Sequence, residues 1–446
     1  VVEVEHGPVI CVDFGSTFTK ALLVDLAGGR IAAAAEHRTT IDTDVLDGYD
    51  DCLAALVAQD PRAAAAQTLA CSSAGGGLRI AVVGNEELVT AEAGRRVALS
   101  SGGKVVAVFA ASRGDDLTRI PASEPDVVLL TGGTDGGNLE PILACARQLA
   151  DIWQGPVVVA GNVDAQVDVA EILAHHPLVV APNIVPQIGV LAPEGARTAI
   201  RELFLSHVIG GKHLSGRADF VGMVQGATPD VVLTGVELLA EIAGDTVVVD
   251  VGGATTDVHS VVELDPEDAG LSREVVATTR ITRTVEGDLG MRWSAVTTAE
   301  AAGRDDLVEA AVRRREDVGF VPADDGEHDL DEELAHEAVG LALRRHAGRS
   351  KVVVSPEGRV IERSGKDLRE VGLLVGSGGV LRHGRPGVAE RVFAGSVGEV
   401  DGGWQLPERA QVTVDQQYVL AAAGLLATEH GDAARRLVGH LARATS

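Results

Sequence analysis

Aromatic side chains are scarce in this chain: Phe, Trp and Tyr together make up 3% of its 446 residues, and methionine occurs only twice. The core must therefore be built from Val, Ala and Leu. With 46% hydrophobic residues and 53 glycines, that composition suits an α/β protein with many tight strand-to-helix turns. Cysteine is nearly as rare. Cys11, Cys52, Cys71 and Cys145 show no CxxC spacing, which argues against a disulfide framework or a thiolate metal site, and Cys11 and Cys71 read as buried thiols in apolar surroundings. No apolar run approaches the ~18 residues a membrane helix needs, and no basic segment followed by an apolar one opens the chain, so a reducing cytoplasm is the expected setting. Positive charge is in deficit as well: the formal net charge of −27 argues against nucleic acid or an anionic membrane as the main partner. No GxSxG, HExxH or paired Cys-His arrangement is present, and the histidines make no metal or catalytic pattern.

What the chain does contain is one pattern written twice, GPVICVDFGSTFTKALLVD at residues 7 to 25 and DTVVVDVGGATTDVHSVVE at residues 245 to 263. Aligned on the acid, Asp13 matches Asp250, Gly15 matches Gly252 and Thr19 matches Thr256. In each, an apolar strand reaches an Asp, a small-residue turn reverses the chain and a second apolar strand leaves, which predicts a β-hairpin. Gly15, Ser16 and Thr17 in one turn, and Gly252, Gly253 and Ala254 in the other, are small enough for backbone N–H groups to approach an anion. Asp13, Asp250 and Asp257 would repel a bare phosphate, so their presence points to an intervening divalent cation, and Mg²⁺ fits because it keeps waters that carboxylates can hold.

A third element, VGLLVGSGGVL at residues 371 to 381, predicts a buried strand ending in Gly376, Ser377, Gly378 and Gly379, where backbone can lie against a base or ribose. The order hairpin, hairpin, GSGG resembles the phosphate-1, phosphate-2 and adenosine motifs of the actin, sugar kinase and heat-shock chaperone ATPase superfamily. Within it, DFGSTFTK (13–20), CSSAGGGLRIAVVG (71–84), LLTGGTDGGN (129–138), VVVAGN (157–162), VDVGGATTDVHS (249–260) and RTVEGDLGMR (283–292) resemble the MutL/GlmL family, from about residue 9 to 430. This MutL is unrelated to the mismatch-repair protein of that name.

The resemblance implies duplicated actin-like ATPase domains of ribonuclease H-like fold around a central nucleotide cleft. Domain I would span 1–195, a helical bridge 196–244, and domain II 245–446 with a helical insertion at about 287–370. ATP and Mg²⁺ are the implied cofactors, bound by Gly15, Ser16, Thr17, Thr19 and Lys20, by Gly252, Gly253, Ala254, Thr255 and Thr256, and by Gly376 to Gly379; Asp13, Asp250 and Asp257 would hold the metal. Glu286 reads either as a ribose contact or, with Asp288, as a helix-start acid. The superfamily places a water-orienting residue ahead of the second hairpin. Here Thr228 stands where the chaperones have a carboxylate, leaving Gln225 or Asp230 as substitutes, or a low intrinsic rate.

Family members are accessory or reactivating proteins of adenosylcobalamin-dependent glutamate mutase, so the implied partner is such a mutase, with no nucleic acid and no membrane. The mutase's own DxHxxG signature is absent, as expected of an accessory protein. Two other readings compete: a small-molecule kinase of the acetate or sugar kinase type, and a nucleotide-binding scaffold without turnover. The turn at 131–138 is assigned a structural or partner-facing role, because a duplication would make it the counterpart of GSGG in the half that does not hold the base. CSSAGGG at 71–77 reads either as a cap and turn or as part of the phosphate surroundings.

Overall fold

The computed structural model describes residues 7–264, 279–355, 358–398 and 402–443. The chain divides into two compact units, one of residues 1–235, 275–277 and 421–437, the other of 236–274, 278–420 and 438–446. The first unit carries strands β1 (Val9–Phe14), β2 (Phe18–Asp25), β3 (Arg30–Arg38), β4 (Gln67–Ser72), β5 (Leu78–Gly84), β6 (Gly103–Ala110), β7 (Val127–Leu130), β8 (Val157–Val159), β9 (Leu178–Val180) and β10 (Val224–Ala227). The second carries β11 (Thr246–Val251), β12 (Thr256–Val261), β13 (Ile281–Glu286), β14 (Arg349–Ser355), β15 (Gly358–Ser364), β16 (Leu373–Ser377) and β17 (Gln411–Val414).

The two units share one sheet plan. In the first the order is β10-β4-β1-β2-β3, and in the second β13-β12-β11-β16-β17. The three strands of each opening meander pair antiparallel, while β4 and β10 in the first unit, and β16 and β17 in the second, add in parallel. This is the duplicated actin-like, ribonuclease H-like architecture. The central strand explains the apolar runs: all six residues of β1 are buried because strands flank it on both sides and helices cover both faces. In the second unit the helix Asp325–His346 supplies Leu334, Ala338, Val339 and Ala342 to a core shared with Val247 and Val249 of β11.

The shared plan corrects one expectation. The counterpart of GSGG is the end of β4, CSSAGGG, because β4 lies parallel beside β1 as β16 lies beside β11: Cys71 is the Cα partner of Asp13 and Ser377 that of Asp250. The glycine-rich turn at 131–138 instead follows β7, in a separate all-parallel sheet of order β6-β5-β7-β8-β9. That sheet is inserted between β4 and β10 and buries both faces. Ile80, Val82, Val127 and Leu129 join the core of the first sheet, while Ala81, Val83, Val128 and Leu130 pack into a second core with Ile142 and Leu149 of the helix Glu140–Ile152.

Strand β10 interrupts the stretch expected to be a helical bridge, and β3, β13 and β17 are further strands that periodicity does not signal. Strands β14 and β15 form a further hairpin, with Ser355 opposite Gly358; Pro356 and Glu357 lie outside the described residues. Among the described residues no helix is long and apolar enough to cross a membrane. The four cysteines are buried and unbridged, and burial pushes each thiol pKa upward.

Candidate functional site

Both hairpin turns are built the same way. The Gly15 N–H donates to Phe18 O at 3.1 Å and the Gly252 N–H to Thr255 O at 2.8 Å, closing each loop at the matching position. Each loop is then held from behind through its carbonyls. Thr39 donates its hydroxyl to Gly15 O at 2.7 Å and its N–H to Thr17 O at 2.9 Å. In the second turn the N–H groups of Met291 and Arg292 bind Gly252 O and Gly253 O at 3.0 and 2.7 Å, and the Ser294 hydroxyl binds Ala254 O at 2.6 Å. Tying the carbonyls toward the protein presents the opposite, N–H edge of Ser16, Thr17 and Ala254, which are exposed, to an incoming anion. The string RTVEGDLGMR thus earns its place as the brace of the second turn, a role that sequence spacing does not signal, and neither does it signal Thr39.

The hairpins differ at one register position. Asp13 faces Lys20 as Cα partner in the first, whereas Asp250 faces Asp257 in the second. The Lys20 ammonium lies 4.0 Å from Asp13 Oδ2. Asp257 has a different neighbour, the Arg283 guanidinium at 3.3 Å. Burial raises the Asp257 pKa, Arg283 opposes that, and the charges of Asp250 and Glu286 raise it further. A pair of facing acids on one hairpin is a place where a cation would lower the energy.

Asp13 is the better-connected acid. Its Oδ1 accepts the Thr228 hydroxyl at 2.6 Å and the Cys71 thiol at 3.6 Å. Thr228, where a carboxylate was the superfamily expectation, begins the helix Thr228–Ala243 and is 7% exposed. The two substitutes fare differently. Asp230 is held in an ion pair with Arg201 at 2.6 Å and its side chain is 3% exposed, so it is committed to structure. Gln225 lies where the β10 register slips between Val224 and Gly226, a bulge of the kind that redirects a side chain next to a site.

The GSGG turn closes onto the second hairpin. Gly378 has φ +108°, and a Cβ there would come within 2.2 Å of Val251 O, so only glycine fits. At Gly379 a Cβ would meet nothing within 4 Å, so it is Gly379 that faces open space. Gly376 packs beneath Leu381 and Phe393, and Ser377 is 4% exposed. Glu286 ends β13, and Asp288 lies in the turn beyond it; Arg345 binds both, at 2.8 and 2.6 Å. The helix-start reading of these acids is therefore corrected: Glu286 is the last residue of a strand and Asp288 lies in the turn after it.

Two buried hydroxyls bear on whether phosphate or hydrated metal suits these turns. Ser72 Oγ, at the end of β4, and Thr256 Oγ1, at the start of β12, have no hydrogen-bond partner among the described residues. Each adjoins a turn, and each is a donor that an oxyanion or a metal-bound water would satisfy. Among the described residues no three His, Cys, Asp or Glu side chains form a ready-made metal cage.

The activator of the 2-hydroxyisocaproyl-CoA dehydratase from Clostridium difficile, solved with bound ADPNP, is 12% identical, with a TM-score of 0.32 over 96% of this chain and 95% of that one. The ethanolamine utilization protein EutJ from Carboxydothermus hydrogenoformans is 12% identical, with a TM-score of 0.30 over 98% of this chain and 92% of that one. In sequence, the chain is 36% identical to Protein MutL from Clostridium tetanomorphum over 453 residues, covering 96% of this chain and 98% of that protein. The MutL protein family model matches residues 9–441, and the chain belongs to that family.

Proposed function

We propose that this chain binds Mg-ATP through its two hairpin turns and works as an ATP-dependent accessory protein that reactivates an adenosylcobalamin-dependent mutase, glutamate mutase or a relative, in the cytoplasm. The observation that carries the nucleotide reading is the repeated turn: the same closing hydrogen bond, the same tethered carbonyls and an aspartate at the same register in both units. Asp13 and Asp250 would hold the Mg²⁺ waters, with Asp257 beside Asp250. Bound there, the ion would neutralise phosphate charge and draw an anionic ligand to an acidic protein.

The chain's own residues have separable roles. Lys20 sits beside Asp13 where it can meet a phosphate oxygen, and Thr228 fixes which oxygen of Asp13 remains available. Ser72 and Thr256 offer hydroxyl donors to the phosphates. With a hydroxyl at Thr228 and Asp230 locked to Arg201, a bulged Gln225 is the polar side chain left to orient water, which fits slow turnover in the absence of a client. The mutase as client rests on family membership.

The test has two parts. Incubation with Mg-ATP, with and without acetate or sugars, reads the chemistry, because acceptor-independent phosphate release excludes a kinase. Pull-down of an adenosylcobalamin-dependent glutamate mutase, in ATP, ADP and nucleotide-free conditions, followed by recovery of inactivated mutase, reads the client. A ligand shifts an equilibrium only through differential binding, so equal capture in all three states, with no ATP-dependent recovery, overturns the proposal.

A further inference from the structure

Two buried acids, Asp331 and Glu332, stand side by side on the helix Asp325–His346, 4% and 5% exposed. Neighbours on a helix point about 100° apart, so each meets its own partners. Both hold arginines. Asp331 Oδ2 binds Arg292 at 3.0 Å, and its Oδ1 binds the fully buried Arg314 at 2.5 Å. Glu332 binds Arg385 at 2.9 Å and Arg391 at 2.5 Å. The Arg391 guanidinium, opposed by burial and aided by Arg385, brings the Glu332 pKa down to about 2, so this carboxylate keeps its charge at any ordinary pH.

The two sets of arginines lead to the two turns of the second unit that face a nucleotide. On the Asp331 side, Arg292 donates its N–H to Gly253 O at 2.7 Å, and its Cβ lies 3.5 Å from where a Cβ on Gly253 would stand. Its guanidinium is pinned by Asp331 and by Phe320 O, the latter at 3.0 Å, so the residue beneath the turn is held at both ends. On the Glu332 side, Arg385 lies in the loop that follows GSGG, and Arg391 in the short helix Val388–Val392 after it. One helical turn beyond Glu332, His336 Nδ1 bonds Val392 O at 3.1 Å. The next residue, Phe393, underlies the GSGG strand: a Cβ on Gly376 would meet its ring at 2.7 Å.

Stability alone does not call for such an arrangement. Buried ion pairs exchanged for apolar side chains of similar volume often leave a protein as stable or more so. What a guanidinium–carboxylate pair adds is geometry, because its planar fork accepts a narrow set of positions. We propose that Asp331 and Glu332 are paired positioning residues: through Arg292 on one side, and Arg385 with Arg391 on the other, they hold the second phosphate turn and the GSGG turn at the spacing that one nucleotide spans. The proposal rests on the nucleotide reading of those two turns.

Amide exchange of the nucleotide-free chain, followed by NMR or mass spectrometry, reads each side separately. Asp331→Asn should speed exchange about tenfold at Met291 and Arg292, whose N–H groups bind the phosphate-turn carbonyls, and leave Arg382 and His383, which bind Gly378 O and Gly379 O, unchanged. Glu332→Gln should do the reverse. Arg292→Met, which keeps the Asp331–Arg314 pair, carries the test if Asp331→Asn does not fold, and Arg391→Met does so for Glu332. Calorimetry with Mg-AMPPNP then reads the coupling. Each single variant should weaken binding about tenfold, and the double variant by well short of the roughly hundredfold product, because a nucleotide that has lost one turn has little left to lose at the other. Exchange that rises equally at both turns would make the acids stabilisers of the helix and nothing more. That result, unchanged exchange, or a full hundredfold loss in the double variant overturns the proposal. If the parent chain binds no AMPPNP, the nucleotide reading is what fails, and the exchange pattern still decides whether the two acids brace the turns.

Discussion

Thr228 donates its hydroxyl to Asp13 at 2.6 Å across 215 residues of sequence, and both groups are buried. The bond joins the carboxyl end of β1 to the first residue of the helix that follows β10, past Cys71 of β4, whose thiol shares the same oxygen. One carboxylate oxygen is thereby fixed from the protein side, and the other is the one nearest Lys20.

Removing that hydroxyl should be felt in stability before activity. Thr228→Val keeps the volume and leaves a buried carboxylate short of a donor, so urea unfolding should show a loss of about 1–3 kcal/mol. Thr228→Ser should recover most of it. A Thr228→Val chain as stable as the parent would mean that the bond contributes nothing.

Asp13→Asn and Asp250→Asn keep shape and remove charge. If these acids hold a hydrated cation, ATP turnover should fall by about ten- to a hundredfold with a matching rise in the Mg²⁺ needed, a size typical of losing one electrostatic partner. Thermal melts should move far less. Wild-type phosphate release in either variant would remove that residue from the metal assignment.

The neighbouring glycines separate packing from binding. Gly378→Ala sets a methyl against Val251 O at a backbone angle that L-residues avoid, and should destabilise by more than about 1 kcal/mol. Gly379→Ala meets nothing within 4 Å and should melt like the parent. The bulkier Gly379→Val should cut nucleotide affinity in calorimetry, and Gly133→Val should not. Equal loss of affinity in the two valine variants would contradict the assignment of GSGG to the nucleotide.

Acid sensitivity should trace in part to His346. It is 5% exposed and bonded to Ser260 at 2.7 Å and Thr284 at 2.9 Å, and burial, with the Lys366 charge, lowers its pKa from 6.5 to about 3. Because the folded value lies below the unfolded one, its contribution is complete above pH 6.5 and is lost progressively as pH falls toward 3. Urea melts at pH 7, 6 and 5 should show a falling stability that is shallower in His346→Gln, with a slope difference of up to about 1.4 kcal/mol per pH unit, the remaining slope coming from His259, whose pKa burial also lowers. Parallel curves for the two proteins would refute this.

Much of the fold is legible in the sequence where strands are central. VICVDF and TVVVDV are apolar because strands flank them on both sides, and the turn residues between paired strands fix each hairpin's position. Edge strands carry no such signal. In β3, RIAAAAEHR, a single residue is fully buried, and β10, VQGA, is four residues long with a bulge. The glycine-rich turn after β7 resembles GSGG for a related reason: a buried strand followed by glycines looks alike in either sheet, and only pairing reveals which one it joins. Likewise Thr39 and Ser294, which brace the two turns, are ordinary residues until folding brings them there.

The insertion of a complete parallel sheet between β4 and β10 also sets an order of events during synthesis. Strand β4 emerges and pairs with β1, but its other edge stays open until about 150 further residues have been made, a loop whose closure entropy grows only slowly with length. The intervening strands β5 to β9 join through mostly local crossovers and can assemble in that interval, so β10, and with it the Thr228 hydroxyl, arrives after them as the last strand of that sheet. Until then the carboxylate of Asp13 is held only by the first strands, and a nascent first unit lacks the finished surroundings of its own acid.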